Sequence, residues 1–493
     1  MADPYKFEYE SLAHSAIEEA QQLGVSYADV RLIESRTRNL STKNGIPTSL
    51  HEMETQGFGI RVMYLGAWGF AATHSLTYES AVRTAFKAFH IAKASSLLKK
   101  DPTFLSCEQV FDTDWSSPFK IDPFSIPIEQ QLDLLIEVDN EIRKEKLINV
   151  AETFMHFEKE HKLFVSSEGS SIRQHFITSG AGLVALAHGK NDLQKRSYPN
   201  SFGGQFQKKG YELIDELRLK ENAPRIAHEA VALLTASICP TGEKDLILDS
   251  SQLGLQIHES VGHPIELDRV LGSEANYAGK SFLDLDQLNH LQYGSSIVNI
   301  VADARLDHGS GLGTFGFDDE GVRAQCTPII TNGLFTGYLS SRETASVLGQ
   351  ENSNGTMRAE SWNHIPLIRM TNISLLPNEK SLTLDELISD TDDGIYMMTN
   401  KSWSIDDRRL NFQFGTEIAW EIKNGKLSRM LKNPIYWGMT PEFWNSCDAI
   451  CDQRSWTLWG TPNCGKGQPC QTMGTGHGAS PARFKKIKIG ASH

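Results

Sequence analysis

No stretch of this 493-residue chain strings together the ~18 apolar residues that a membrane-spanning helix requires. Its opening, MADPYKFEYESLAHSAIEEA, lacks the basic start and apolar run of a secretory signal and reads as the first helix of the fold. An excess of positive charge is also missing. Against 61 acidic residues stand 48 lysines and arginines, a net −13, which argues against nucleic-acid or anionic-membrane partners. The one basic run, Arg483-Phe-Lys-Lys-Ile-Lys-Ile, alternates like a terminal strand with a solvated face. Seven cysteines, an odd and mostly scattered set, make no disulfide framework and fit a reducing cytoplasm.

Three common cofactor signatures are present only in part. Gly460-Thr-Pro-Asn-Cys-Gly465-Lys466 fits most of a phosphate-binding loop. Gly467 stands where Ser or Thr would hold magnesium, however, and Pro469 opposes the helix that must follow. Glycines 474, 476 and 478 read as turn chemistry, not a dinucleotide fingerprint. Asp303, Asp307 and the run Asp318-Asp319-Glu320-Gly321 lack the spacing of a calcium loop and read as a charged hairpin turn.

What is present is the composition of a soluble globular protein, 40% apolar and 22% charged, in a chain long enough for two or three domains. Periodicity predicts helices over 7–23, 79–98, 127–145 and 211–238, and strands over 27–34, 58–73, 148–166 and 171–188. Past Pro240 a strand is expected at 245–249, with Ser250-Ser251 capping the next helix. Asn332-Gly333 and Asn424-Gly425 each mark a hairpin. The expected class is α+β: a mixed α/β N-terminal domain (1–235) and a β-rich domain (236–493).

At the start of that second domain lies His258-Glu259-Ser260-Val261-Gly262-His263. A His-Glu pair followed by a second His reads as two zinc ligands and a general base for hydrolysis. The spacing is five, not the usual four. Five helical residues rotate a side chain by roughly 500°, about 140° away from the first ligand's direction. Either an i→i+5 bulge or a helix end must therefore fall between the imidazoles. Gly262 loosens the backbone there, and Pro264 removes the amide that would bond the Ser260 carbonyl. Other candidates fail. His228-Glu229 has Ala232 and Leu233 where a second ligand would stand, and His156 and His161 lie on a strand, where odd spacing sends them to opposite faces.

Catalytic zinc usually takes three protein ligands and leaves a position for water. Glu266 and Asp268 are near enough to serve, or to orient the imidazoles from behind. Cys447, Cys451, Cys464 and Cys470 offer a thiolate, and one of them is the favoured third ligand. His477, flanked by Gly476 and Gly478, is a candidate donor to a developing oxyanion. Its alternative is a turn histidine between two strands.

The pieces HESVGHPIELD, GTFGFDDEGVRAQCTPIITNGLFTGYLSSRETA, MRAESWNHIPLIRMTN and NCGKGQP, in this order, resemble the TldD/PmbA family of metallopeptidases. YADVRL and GFGIRVMYLGAWGFA resemble its N-terminal portion. The resemblance implies a β-rich catalytic domain, one zinc ion per chain on His258, His263 and Cys464, and Glu259 as catalytic acid/base. Cys464 is singled out because Gly465 follows it. It also implies extended, unstructured peptides as substrates and a dimer around an internal cavity, either a homodimer or a heterodimer with a related subunit. Residues 401–417 and 433–458 depart from the better-known branch, which leaves substrate preference and partner choice open. A different class of function remains in view: a zinc-bearing scaffold or partner subunit without turnover, in which Glu259 has no role. A third reading keeps the hydrolytic site for a non-peptide amide.

Overall fold

The computed structural model describes residues 9–276, 279–307, 309–467 and 469–492. Turn chemistry sets up the first half. Asn44 and Gly45 both take positive φ (52° and 81°), as a two-residue hairpin turn demands, and join the long strands Tyr27–Lys43 and Ile46–Tyr64. The stretch 58–73, read as one strand, is itself a hairpin. Leu65 and Gly66 take positive φ and fold Ala67–Thr73 back onto Ile46–Tyr64.

These strands belong to one sheet. Its spatial order is Ala67–Thr73, Ile46–Tyr64, Tyr27–Lys43, Ile148–Ser166, Ser171–His188 and Asp112–Ser116, with Leu193–Tyr198 and Gln205–Gln207 also paired to Ser171–His188. Helices Glu10–Gln22 and Tyr78–Ser96 present alanine faces (Ala13, Ala16, Ala20, Ala81, Ala85, Ala88) to the sheet core. Helices Ile128–Ile142 and Leu219–Thr235 close a second core over Met155, Phe157 and Leu183. The helix expected over 211–238 is broken at Arg218, whose left-handed φ of 48° separates Glu212–Leu217 from Leu219–Thr235.

In the second half, Asp393–Ile405, Gly242–Leu248, Ala482–Ala491, Pro434–Met439 and Asn411–Lys423 pair in that order. Asn411–Lys423 then pairs back on Asp393–Ile405, so the sheet closes into a barrel and leaves no edge at that seam. A separate sheet runs Leu334–Phe335, Cys326–Thr331, Ile300–Asp303, Asn372–Leu375, Gln471–Ala479 and Thr457–Lys466. Asn332-Gly333 and Asn424-Gly425 form the tight turns of two of the hairpins, again with paired positive φ. The helix Ser250–Ile257 leaves the barrel and packs between Asp393–Ile405 and Gln471–Ala479. Its cap is Asp249, whose carboxylate accepts from Ser251 N at 2.9 Å, and not the serine pair.

The acidic run 318–320 forms the expected hairpin turn, with Phe317 bridged to Arg323 and Asp318 N–H on the Val322 carbonyl at 2.9 Å, but the turn is buried. Asp318, Asp319 and Glu320 are each 2% exposed. Asp319 pairs with Lys162 at 3.0 Å and Glu320 with Arg61 at 3.2 Å, both on the N-terminal sheet. Asp318 accepts backbone N–H bonds from Glu320, Val322 and Met357. The carboxylates thus rivet the second half to the first. Among the described residues no helix is long and apolar enough to cross a membrane.

Candidate metal centre

Helix Ser250–Ile257 continues into a π-helical turn over His258–Gly262, and His263 N–H bonds the His258 carbonyl at 3.2 Å, an i→i+5 bond. That extra residue brings the two imidazoles together, with ring centroids 4.9 Å apart and planes at 87°. Pro264 leaves the Ser260 carbonyl without its helical donor, and the hydroxyl of buried Tyr293 bonds it instead. Gly262 is needed for space, since a Cβ there would stand 2.1 Å from Met370 Sδ. Its φ is not positive, so close packing and not backbone freedom selects glycine.

The far side of the turn is clamped by a buried polar ladder. Trp444 Nε1 donates to Ser260 Oγ (3.0 Å), which donates to the Gln256 carbonyl (2.6 Å). Tyr436 OH donates to Gln256 Oε1 (3.0 Å) and accepts from Gln252 Nε2 (2.9 Å). Trp444 Nε1, Ser260 Oγ, Gln256 Oε1 and Tyr436 OH are all paired in this ladder, and Gln252 Oε1 is its one buried atom without a partner among the described residues.

Cys464 reaches the imidazoles from the strand Thr457–Lys466. Its Sγ lies 3.7 Å from His263 Nε2, and the nearest ligand atoms of His258, His263 and Cys464 all fall within 4.8 Å of one another. Tetrahedral zinc with ordinary Zn–S and Zn–N bonds would separate sulfur and nitrogen by ~3.6 Å. Both imidazoles are steered from behind through Nδ1. His258 Nδ1 lies 2.7 Å from His477 Nε2, and His263 Nδ1 lies 3.0 Å from Glu266 Oε2. Each ring therefore has Nε2 left for a metal. Burial, with His477 beside the first and Arg409 beside the second, drives His258 and His263 well below the ordinary imidazole range, so both are neutral donors. Burial pushes the Cys464 thiol up to about 11 against the pull of Arg369, so a metal must displace its proton. The donor set and its spacing fit a tetrahedral metal.

Glu259, within the same turn, is 6% exposed. Burial raises its carboxyl, while Arg409, Arg269 and a hydrogen bond from Trp403 act the other way. Arg409 Nη1 donates to Glu259 Oε2 at 2.6 Å.

The other sequence candidates fall around this centre. Glu266 stands behind His263 and 3.4 Å from Lys466, and Asp268 accepts from Lys466 at 2.7 Å. Lys466, the lysine of the partial phosphate loop, is thus a buried counter-ion on a strand. His477 is not in a turn but inside the strand Gln471–Ala479, fully buried. Its Nδ1 meets the Ile373 carbonyl (3.3 Å) and its Nε2 meets His258, so neither ring nitrogen is left to donate to an oxyanion. Its position is that of an orienting residue. Cys447 and Cys451 are buried free thiols and Cys470 is exposed, none of them in the ligand group. Arg409, Trp403, Tyr293 and Trp444 were not anticipated. Only Arg409 left a signal, as part of the charged Asp406-Asp407-Arg408-Arg409 turn between two strands.

Comparison with known proteins identifies the family. Residues 241–491 match the PmbA/TldA metallopeptidase C-terminal domain, 28–92 match domain 1, and 121–238 match the central domain. A metalloprotease of Methanocaldococcus jannaschii is 29% identical over 94% of this chain and 97% of its own. A zinc metalloprotease TldD homolog of Saccharolobus solfataricus is 23% identical over 96% and 98%. The crystal structure of TldE from Thermococcus kodakarensis superposes with a TM-score of 0.71 at 15% identity, over 97% of this chain and all of that one, a likeness of fold. With one family matched in three consecutive segments, the C-terminal one spanning half of the chain, this protein belongs to the PmbA/TldD metallopeptidase family.

Proposed function

We propose that the protein is a zinc-dependent peptidase that hydrolyses extended, unstructured peptides. The observation that carries the reading is the convergence of His258, His263 and Cys464 with Glu259 in the same π turn. A zinc ion bound there would supply Lewis acidity, lowering the pKa of water and polarising a carbonyl. His477 and Glu266 fix the tautomers of the two imidazoles from behind. Glu259 accepts the proton of the attacking water and returns it to the leaving amine, a role its burial supports by raising its affinity for a proton.

A cavity of about 640 Å³ is lined by Pro462 and Met473, close in chain and sheet to Cys464, though by none of the three ligands nor Glu259. It lies between the N-terminal sheet and the second half, walled by Phe176, Phe206 and Phe315 and reaching Met473 and Gly474 on the strand of His477. That volume is in the range of sites for short ligands. Relatives known as a metalloprotease and a zinc metalloprotease TldD homolog support the peptidase reading. By family resemblance the assembly is a homodimer, or a heterodimer with a related subunit.

Glu259→Gln tests the assignment. The variant keeps about one zinc per chain and loses cleavage of a fluorogenic peptide. A zinc-bearing scaffold without turnover would show no cleavage in the wild type either, and a variant as active as wild type would remove Glu259 from the mechanism.

A further inference from the structure

The cation beside Glu259 is positioned with unusual care. Arg409 sits in the turn between Asp393–Ile405 and Asn411–Lys423, in a left-handed conformation with φ of 62°. Such a backbone costs ~1–3 kcal/mol and persists only where the surroundings impose it. Here they do. The Asp406 carboxylate accepts from Leu410 N (2.8 Å) and Asn411 N (3.2 Å). The Arg409 carbonyl accepts from Thr440 Oγ1 (2.9 Å), and the Arg408 carbonyl accepts from Phe282 N (2.7 Å). Gly279 packs so tightly under the turn that a Cβ would stand 2.3 Å from the Asp407 carbonyl oxygen.

The guanidinium so placed spends one donor on Glu259 (2.6 Å). Its Nε is buried and has no hydrogen-bond partner. A residue serving only as counter-ion to Glu259 would gain by satisfying that N–H, because a buried unpaired donor costs ~1–3 kcal/mol. A spare, fixed, positively charged donor next to the general base is instead what a developing oxyanion requires.

We propose that Arg409 is a catalytic residue, whose guanidinium binds the carbonyl oxygen of the scissile peptide as that oxygen becomes negative. This rests on the peptidase reading above. The charge balance is simple. As Glu259 takes a proton from water, the water oxygen bonds to the carbonyl carbon and the C=O π pair moves onto oxygen. Negative charge passes from the Glu259 carboxylate to the substrate oxygen, and the cation beside both follows it. When the C–N bond breaks, the proton on Glu259 goes to the leaving nitrogen, the carboxylate is restored, and Arg409 returns to it.

The test uses zinc-loaded full-length wild type, Arg409→Ala, Arg409→Lys and Thr440→Val on one fluorogenic peptide. Calorimetric binding of a phosphinic peptide, a tetrahedral mimic, and of an uncleavable ground-state analogue is measured in parallel. Arg409→Ala is expected to lower kcat by ~10²–10³-fold and to weaken phosphinate binding by a similar factor, with KM, ground-state analogue binding and zinc content nearly unchanged. Arg409→Lys retains part of the effect. Thr440→Val, which frees the turn without touching the guanidinium, gives a smaller loss in the same direction and carries the test if Arg409→Ala does not fold. Unchanged or increased kcat in the arginine variants, with phosphinate affinity kept, overturns the proposal and makes the pair a structural or inhibitory contact. A wild type that binds zinc yet cleaves no peptide overturns the peptidase reading itself, an outcome distinct from loss confined to the variants.

Discussion

His477 Nε2 stands 2.7 Å from His258 Nδ1, so one buried imidazole orients another. Burial holds His477 down to about 3, which keeps it neutral and lets one ring donate while the other accepts. Outer partners of this kind typically carry a ~10–100-fold share of metal affinity. His477→Ala is therefore expected to weaken zinc binding by that factor, measured by competition with a chromogenic chelator. Unchanged affinity would leave His258 oriented by its own packing.

Proton release on metal binding follows from the same burial. His258 and His263 are already neutral near pH 7, whereas the Cys464 thiol, pushed up to about 11, is still protonated. Loading the site should release about one proton, and affinity should rise roughly tenfold per pH unit through the neutral range. Calorimetry in two buffers of different ionisation enthalpy counts the proton. In Cys464→Ala the count is expected to fall to about zero.

Much of this is legible in the amino-acid sequence. The five-residue spacing required a backbone distortion, and the i→i+5 bond from His263 to His258 provides it. Paired Asn-Gly turns and long alternating strands gave the hairpins, because both signals are local. The closed barrel was not legible. It depends on Asn411–Lys423 returning to Asp393–Ile405 while Gly242–Leu248 enters from far upstream, and no local pattern encodes that. The acidic run 318–320 was legible as a hairpin turn, but its burial was not, for a related reason. A carboxylate's partner can lie more than 150 residues away, as Lys162 does for Asp319, and no local pattern marks such a turn as buried. The stretch 401–417 stood out as a departure, but nothing in it foretold that Arg409 would meet Glu259.

Tyr293 and Ser260 give a stability prediction. Removing the hydroxyl in Tyr293→Phe leaves the Ser260 carbonyl buried without a donor, since Pro264 cannot provide one. A loss of ~1–3 kcal/mol is expected in urea denaturation of the metal-free protein. Zinc affinity should fall with it, because that carbonyl belongs to the turn between the two ligands. A neutral variant would mean that water replaces the phenol.

Acid sensitivity should be traceable to His175. Burial lowers it to about 4, with His161 stacked on it at 4.4 Å and Lys159 nearby adding to the effect while Asp122 opposes it. In the unfolded chain it titrates near ~6.5. Between those values the unfolded state binds the extra proton, so stability rises with pH from about 4 to ~6.5 and is lost on acidification. His175→Gln should flatten that part of the stability profile, followed by urea midpoints from pH 4 to 7. An unchanged slope would assign the proton uptake elsewhere.

The ion pairs Asp319–Lys162 and Glu320–Arg61 have a consequence for the fate of a damaged chain. Without the first half, Asp319 would lose Lys162, and Phe315 and Phe317 would lose Phe176, Phe164 and Ile172, so the second half would turn an apolar and acidic face to water. The ligands His258, His263 and Cys464 all lie in that second half, so a fragment would keep every metal-binding residue while carrying a newly exposed face prone to association.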